Sequence, residues 1–236
     1  MPASRFVVAA FVVIPLVLVA ALVAGSEWAG RRLGEDPGRR RRWRWITAGG
    51  SLLWLAATGV AAQSGVLRRW DAVPPPFAAM PAAILVLGVV VAASALGTRL
   101  ARGLPLAALV GVQAFRLPLE LVMHRAYEEG IMPVQMSYSG RNFDIVTGIT
   151  AALLGAWLAR RPVPGWVVGA WNLLGLALLV NVVTVAILAT PVFRWFGDEH
   201  LNVWVTYPPF VWLPAVMVTA AWAGHLVIWR RLRRPA

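Results

Sequence analysis

The sequence predicts an all-α fold: a polytopic transmembrane helical bundle of seven spans, in a single domain over residues 1–236. Three observations carry that expectation. The 236 residues are 59% hydrophobic and 14% charged, where a soluble domain is about 45–50% apolar and about 25% charged. Seven apolar stretches are long enough to cross a hydrocarbon core of about 30 Å at 1.5 Å per residue. The charges lie in short clusters between those stretches.

The first span, near 6–25, follows Arg5 and contains Pro15. Its apolar run is longer than the roughly 7–15 residues of a signal-peptide core. Cleavage would also leave the arginine-rich segment after it on the wrong side, so an uncleaved first helix is expected. The second span, near 46–67, follows segment 26–45 with its seven arginines. The third, near 77–98, opens on Pro75-Pro76-Phe77-Ala78-Ala79-Met80-Pro81-Ala82, and the fourth runs near 104–127. The fifth, near 143–159, begins at Asn142-Phe143-Asp144. The sixth, near 165–190, carries Asn172, Asn181 and Thr184, read as interhelical hydrogen bonders, and a Gly165-x-x-x-Gly169 packing pattern. The seventh, near 208–229, opens on Pro208-Pro209-Phe210-Val211-Trp212-Leu213-Pro214-Ala215 and holds His225, for which no partner is evident.

Arginine sets the orientation. Fifteen of the 22 basic residues fall on one side of the spans: seven in 26–45, then Arg99 and Arg102, Arg160 and Arg161, and Arg230, Arg231, Arg233 and Arg234. Arg5, Arg68, Arg69, Arg141 and Arg194 fall on the other, and Arg116 and Arg125 inside the fourth span. The positive-inside rule puts the fifteen in the cytoplasm, the N-terminus outside and the C-terminus inside. A multi-pass protein of the cytoplasmic (inner) membrane is expected, its Arg run 39–42 and 44 against anionic lipid headgroups. Trp28, Trp43, Trp45, Trp70, Trp157, Trp166, Trp195, Trp204 and Trp229 lie near span ends, the headgroup position indole favours.

The composition removes several chemistries. With no Lys and no Cys there is no Schiff-base lysine, disulfide, thiol catalysis or cysteine-held metal. His124, His200 and His225 are too few for a bis-histidine haem or a multi-histidine zinc hydrolase. No cofactor or metal is expected, and the net charge of +12 belongs to membrane orientation and not to a nucleic-acid partner.

The third and seventh spans both open PPFxx[ML]PA, 133 residues apart. This raises a 3+1+3 arrangement of parallel triplets with the fourth span as linker, which would put a ligand between the halves. Paired Pro at a helix start also has a purely local use in setting the first turn. The layout resembles the SWEET sugar transporters in span count, length and orientation, without that family's Pro-Gln pair.

The sharpest feature is in the fourth span. Gln113, Arg116, Glu120, His124 and Tyr127 recur at steps of three and four, which places them on one helix face. A central Arg costs about 2.5–3.5 kcal/mol to insert and is tolerated facing protein or water beside a partner. Glu120, one turn away, is the expected partner. Pro118 between them should free the Ala114 carbonyl and kink the helix. Arg141, Asn142 and Asp144 follow after a loop of roughly fifteen residues, with Thr147, Gly148 and Ala151 on the face below. The site predicted for a substrate or proton is Gln113, Arg116, Glu120, His124, Arg141, Asn142 and Asp144. Asn142 as an N-cap, Asp144 as a helix-start charge and the ion pair as a structural lock are the bland alternatives.

The stretch Gln113–Ala151, with Arg116-x-x-x-Glu120, Pro133, Met136 and Gly140-Arg141-Asn142-Phe143-Asp144-Ile145, resembles a family of uncharacterised bacterial polytopic membrane proteins. The resemblance implies no activity. Three functions stay open: a transporter or ligand-binding bundle for a small polar or anionic solute or a proton; an intramembrane enzyme on a lipid-like substrate with Glu120 or Asp144 as acid or base; and a structural or assembly subunit.

Overall fold

The protein is described by a computed structural model over residues 3–233; Arg234, counted above in the C-terminal cluster, lies outside the described residues. Those residues form helices and no strand. They are α1 (Arg5–Arg32), α2 (Pro37–Gln63), α3 (Ala79–Ala93), α4 (Ala95–Gly103), α5 (Leu106–Gly111), α6 (Arg116–Glu128), α7 (Ile145–Arg160), α8 (Gly165–Leu188) and α9 (Thr219–Leu232). Six helical segments are long and apolar enough to cross a membrane, which makes this a multi-pass membrane protein; the helix at Ile145–Arg160 is apolar but, at 16 residues, shorter.

Contacts between the connections gather the helix ends in two groups. One end holds the start of α1 and the long connections 64–75, 129–144 and 189–212. There the Ser4 N–H donates to Glu129 Oε2 at 2.8 Å and Gln135 Nε2 donates to the His200 carbonyl at 2.7 Å. The other end holds the short turns and most of the arginines.

That arginine-rich end differs from the sequence expectation. Segment 26–45 is not a loop: α1 runs on to Arg32 and α2 begins at Pro37, so the connection is only four residues. Asp36 explains the early start. Its carboxylate accepts from the Arg39 N–H at 2.9 Å, with Pro following in the first turn. The arginines stand on helical turns at the ends of α1 and α2. Glu27 pairs with Arg31 (3.2 Å), Arg40 (3.4 Å) and Arg44 (3.4 Å), and Glu35 pairs with Arg39 and with Arg99.

The third span is broken as well. Ser94 leaves the helix in extended conformation and its hydroxyl accepts from the Leu96 and Gly97 N–H groups to start α4. Arg99 on α4 is thereby turned inward and buried. Its Nε donates to the Ser26 carbonyl at 3.0 Å, and its guanidinium lies 5.6 Å from the Trp43 ring.

Close helix approaches occur where side chains vanish. A Cβ on Gly148 would strike the Leu117 backbone, and one on Gly155 would sit 2.9 Å from the Gly111 Cα. These two glycines let α7 lie directly along α5 and α6. The Gly165-x-x-x-Gly169 pattern does no such work: Gly169 faces open space and Gly165 meets only Leu232. Tryptophan differs from expectation at one position. Trp204 is buried against Phe11 (5.6 Å between rings) and Phe210 (5.3 Å), whereas Trp45, Trp166 and Trp195 are exposed. The openings of the predicted repeat differ locally. Pro76–Ala78 is a 3-10 turn leading into α3, and Leu213–Val218 is a π-helical stretch leading into α9.

Candidate functional site

The break between α5 and α6 makes the site. Val112–Phe115 forms a 3-10 turn, and the α-helix restarts at Arg116. Pro118 therefore sits in a first helical turn, where its missing N–H leaves no carbonyl of its own helix unpaired. The expected disturbance is present, displaced into the turn before the proline. It aims Arg116 and Glu120 towards α7 and α8.

Arg116 is buried to 1% exposure, beside Glu120 at 2%, Asn142 at 0% and Asp144 at 5%. Its partner is not Glu120. Arg116 Nη1 donates to Asp144 Oδ1 at 2.9 Å and reaches the Gly175 carbonyl of α8 at 3.5 Å. Glu120 Oε2 instead accepts from Asn142 Nδ2 at 2.8 Å. The local i,i+4 pairing lost to a tertiary one because Asp144 sits at the head of α7, the helix held against Leu117 by Gly148.

Asn142 ties the constellation together. Its Nδ2 donates to the Met136 carbonyl as well as to Glu120, and its Oδ1 accepts from the Asp144 N–H at 3.1 Å. One side chain thus fixes the position of both acids. It does more than cap α7, although the turn it makes with Asp144 belongs to that helix start.

Three of the predicted site residues do not join this cluster. His124 Nδ1 lies 2.9 Å from the Ser137 hydroxyl, and its ring stacks on Tyr138 at 4.3 Å between centroids. One more turn along α6 carries it out to the loop-rich end. Arg141 is exposed and lies over the Phe196 ring at 5.4 Å, while its carbonyl accepts from Asn181 Nδ2 at 2.7 Å. Gln113 is buried on the same face as Arg116, but its Nε2 turns to the Ala221 carbonyl at 3.4 Å and packs over Gly224.

Sequence reasoning missed a second layer. His225, without an identified partner in the sequence, is fully buried with Nδ1 2.8 Å from Asn172 Oδ1, and Asn172 Nδ2 donates to the His225 carbonyl at 3.2 Å. The imidazole packs so close to Gly175 that a Cβ there would overlap it. Asn172 was legible as an interhelical bonder; that it clasps a histidine required the packing of α8 on α9. Among the described residues no three His, Asp or Glu side chains group as metal ligands.

Arg116, Glu120, Asn142 and Asp144, with Asn202 from the connection after α8, are the polar lining of a cavity of about 90 Å³ at the loop-rich half of the bundle. The remaining wall is mostly apolar, with Ile84, Leu119, Met123, Leu179, Val182 and Met217 among its lining residues. The polar wall is incompletely bonded: Arg116 Nε and Nη2 and Thr147 Oγ1 are buried without partners, as are Gln113 Oε1 and His225 Nε2 nearby. A buried donor left unmade costs about 1–3 kcal/mol, more where it is charged. Full burial of Arg116 with two such donors is therefore a strained arrangement for a purely structural contact.

No family model matches the chain, and neither a curated protein nor a solved structure matches it. The site is accordingly read from its own chemistry.

Proposed function

We propose that the protein is a transporter or ligand-binding bundle for a small polar or anionic solute or a proton, working at Arg116, Glu120, Asn142 and Asp144. The observation that carries this reading is the under-bonded guanidinium of Arg116 on the wall of a cavity inside the bundle. Asp144 balances its charge through one nitrogen, and a second acid, Glu120, stands on the same wall without an ionic partner of its own. An ion pair built only to lock α6 to α7 needs neither the second acid nor the cavity. An intramembrane charge that faces a cavity is a functional site by default.

In the same reading the bundle spans the inner membrane of a bacterium seven times, with α7 as the short span, the first helix retained and the arginine-rich end in the cytoplasm against anionic lipid. The support is the side-to-side imbalance of arginine and the continuity of α1 from Arg5 to Arg32. The cavity then belongs to the outer half of the membrane.

The test uses purified protein in liposomes, with proton movement followed by an entrapped pH-sensitive dye and uptake of radiolabelled acetate and phosphate in parallel. Saturable movement of at least one probe, reduced tenfold or more in both Arg116→Gln and Glu120→Gln, is the expected result. Wild-type rates in both variants overturn the reading.

A further inference from the structure

The cavity identifies more than a charge preference. In a guanidinium the Nε–H and one Nη–H lie side by side along one edge and point the same way, the fork that grips the two oxygens of a carboxyl group. Asp144 occupies Nη1 and leaves that edge, Nε with Nη2, unpartnered at 1% exposure of the side chain. A hydroxyl fills half of such a fork; the paired oxygens of a carboxyl or a phosphate group fill all of it, and the remaining lining of the cavity favours the carboxyl group.

The rest of the cavity says what the carboxyl group is attached to. Apart from Asn202 the remaining lining is apolar, and Ile84, Leu179, Val182 and Met217 offer no hydrogen bond. Water or a fully polar solute gains little from such a surface, whereas an alkyl chain gains by leaving water. Access points the same way. Helices α3 and α8 each pack on α9 but make no extensive contact with one another. The cavity reaches between them to Leu85, which is 47% exposed. In a membrane that gap faces lipid.

We infer that the site takes a short- to medium-chain aliphatic carboxylic acid from the lipid phase, its carboxyl group on the free edge of Arg116 and its chain along the apolar wall. This rests on the ligand-binding reading above and narrows it. The acid enters the bilayer in its neutral form, so it adds no net charge to a site where Arg116 is already balanced by Asp144. The proton it carries stays on one of two neighbouring carboxyl groups, its own or that of Glu120.

The experiment is equilibrium binding of radiolabelled acetate, butyrate and hexanoate to the full chain in detergent, with hexanol and inorganic phosphate as competitors. Affinity should rise about fourfold per added methylene until the cavity is full, and neither competitor should displace hexanoate. Arg116→Gln and Arg116→Lys should each lose tenfold or more, lysine failing because it has no fork. Met217→Trp, which takes up space on the apolar side, should abolish the preference for hexanoate over acetate. This second variant decides the matter if changes at Arg116 prevent folding. Equal affinity along the acid series, displacement by hexanol, or an unchanged chain-length preference in Met217→Trp overturns this inference while leaving the broader reading intact. Absence of saturable binding by every probe, phosphate included, overturns both.

Discussion

Arg99 and Arg116 are the two most deeply buried arginines of the described chain, and they are buried for different reasons. Arg99, 4% exposed, spends Nε on the Ser26 carbonyl and Nη1 on Glu35, near the Trp43 ring at the arginine-rich end, and leaves Nη2 alone without a partner. It joins α4 to the α1–α2 turn, and around it Glu27 and Glu35 gather four further arginines, of which Arg31, Arg39 and Arg44 are exposed and Arg40 is half-buried. Arg116 lies within the bundle, has a single carboxylate partner and leaves a complete edge unused beside a cavity. The same side chain is fastened at one site and available at the other. Burial alone does not separate a clamp from a binding group; the direction and number of unmet donors do.

The largest expected effect tests the central pair. Asp144→Ala removes the one carboxylate bound to Arg116 and leaves an unpaired charge in the bundle. A loss of about 3–5 kcal/mol is expected, visible as a lower unfolding temperature in detergent. Restoration of both stability and activity by the double exchange Arg116→Asp with Asp144→Arg would make the pair a lock, and the contrast with Arg99 would disappear.

Next in size is the helix contact that brings Asp144 to Arg116. Gly148→Val would push α7 away from the Leu117 backbone. Overpacking of this kind costs about 1–3 kcal/mol, and solute binding should fall together with the unfolding temperature. Gly169→Ala, on a face with nothing nearby, should change neither.

At the arginine-rich end, Glu35→Gln should cost about 1–3 kcal/mol because Arg99 is buried with it, yet leave binding unchanged. Arg31→Ala, two-thirds exposed in its pair with Glu27, should fall within about 0.5 kcal/mol of wild type. Lost transport in Glu35→Gln at normal stability would contradict the division between the two regions.

The smallest effect belongs to Glu129, outside the spans. The Ser4 N–H and hydroxyl, with Arg125, hold its carboxyl below the ordinary carboxylate range. A depressed acid contributes stability that is present above the ordinary carboxylate value and is lost as pH falls through the lower folded one. Glu129→Gln should remove a slight acid sensitivity from the unfolding profile and alter nothing at neutral pH beyond the loss of one surface contact.

Much of this was legible from residue spacing, and the remainder depended on neighbours that spacing does not encode. Steps of three and four put Gln113, Arg116 and Glu120 on one buried face of the fourth span, and the same rule carried on to His124, which the end of α6 delivers to the loop. The partner of Arg116 could not be read locally. Asp144 is 28 residues away, brought in by a glycine contact that looks like any other small-residue step. Counting arginines by side anticipated which end would be basic, but it treated Arg99 as one orientation signal among fifteen; only the turn at Ser94 makes it a buried clamp. His225 and Asn172 stand on different helices, and nothing in either segment names the other.

The most direct test is solute binding by Glu120→Gln, because the amide still offers Asn142 an acceptor oxygen and the fold should be kept. Binding of hexanoate to wild type and variant is compared at equal, verified thermal stability. The site described here predicts that Glu120→Gln loses affinity tenfold or more with its unfolding temperature unchanged. Wild-type affinity in that variant would contradict it and take Glu120 out of the binding site.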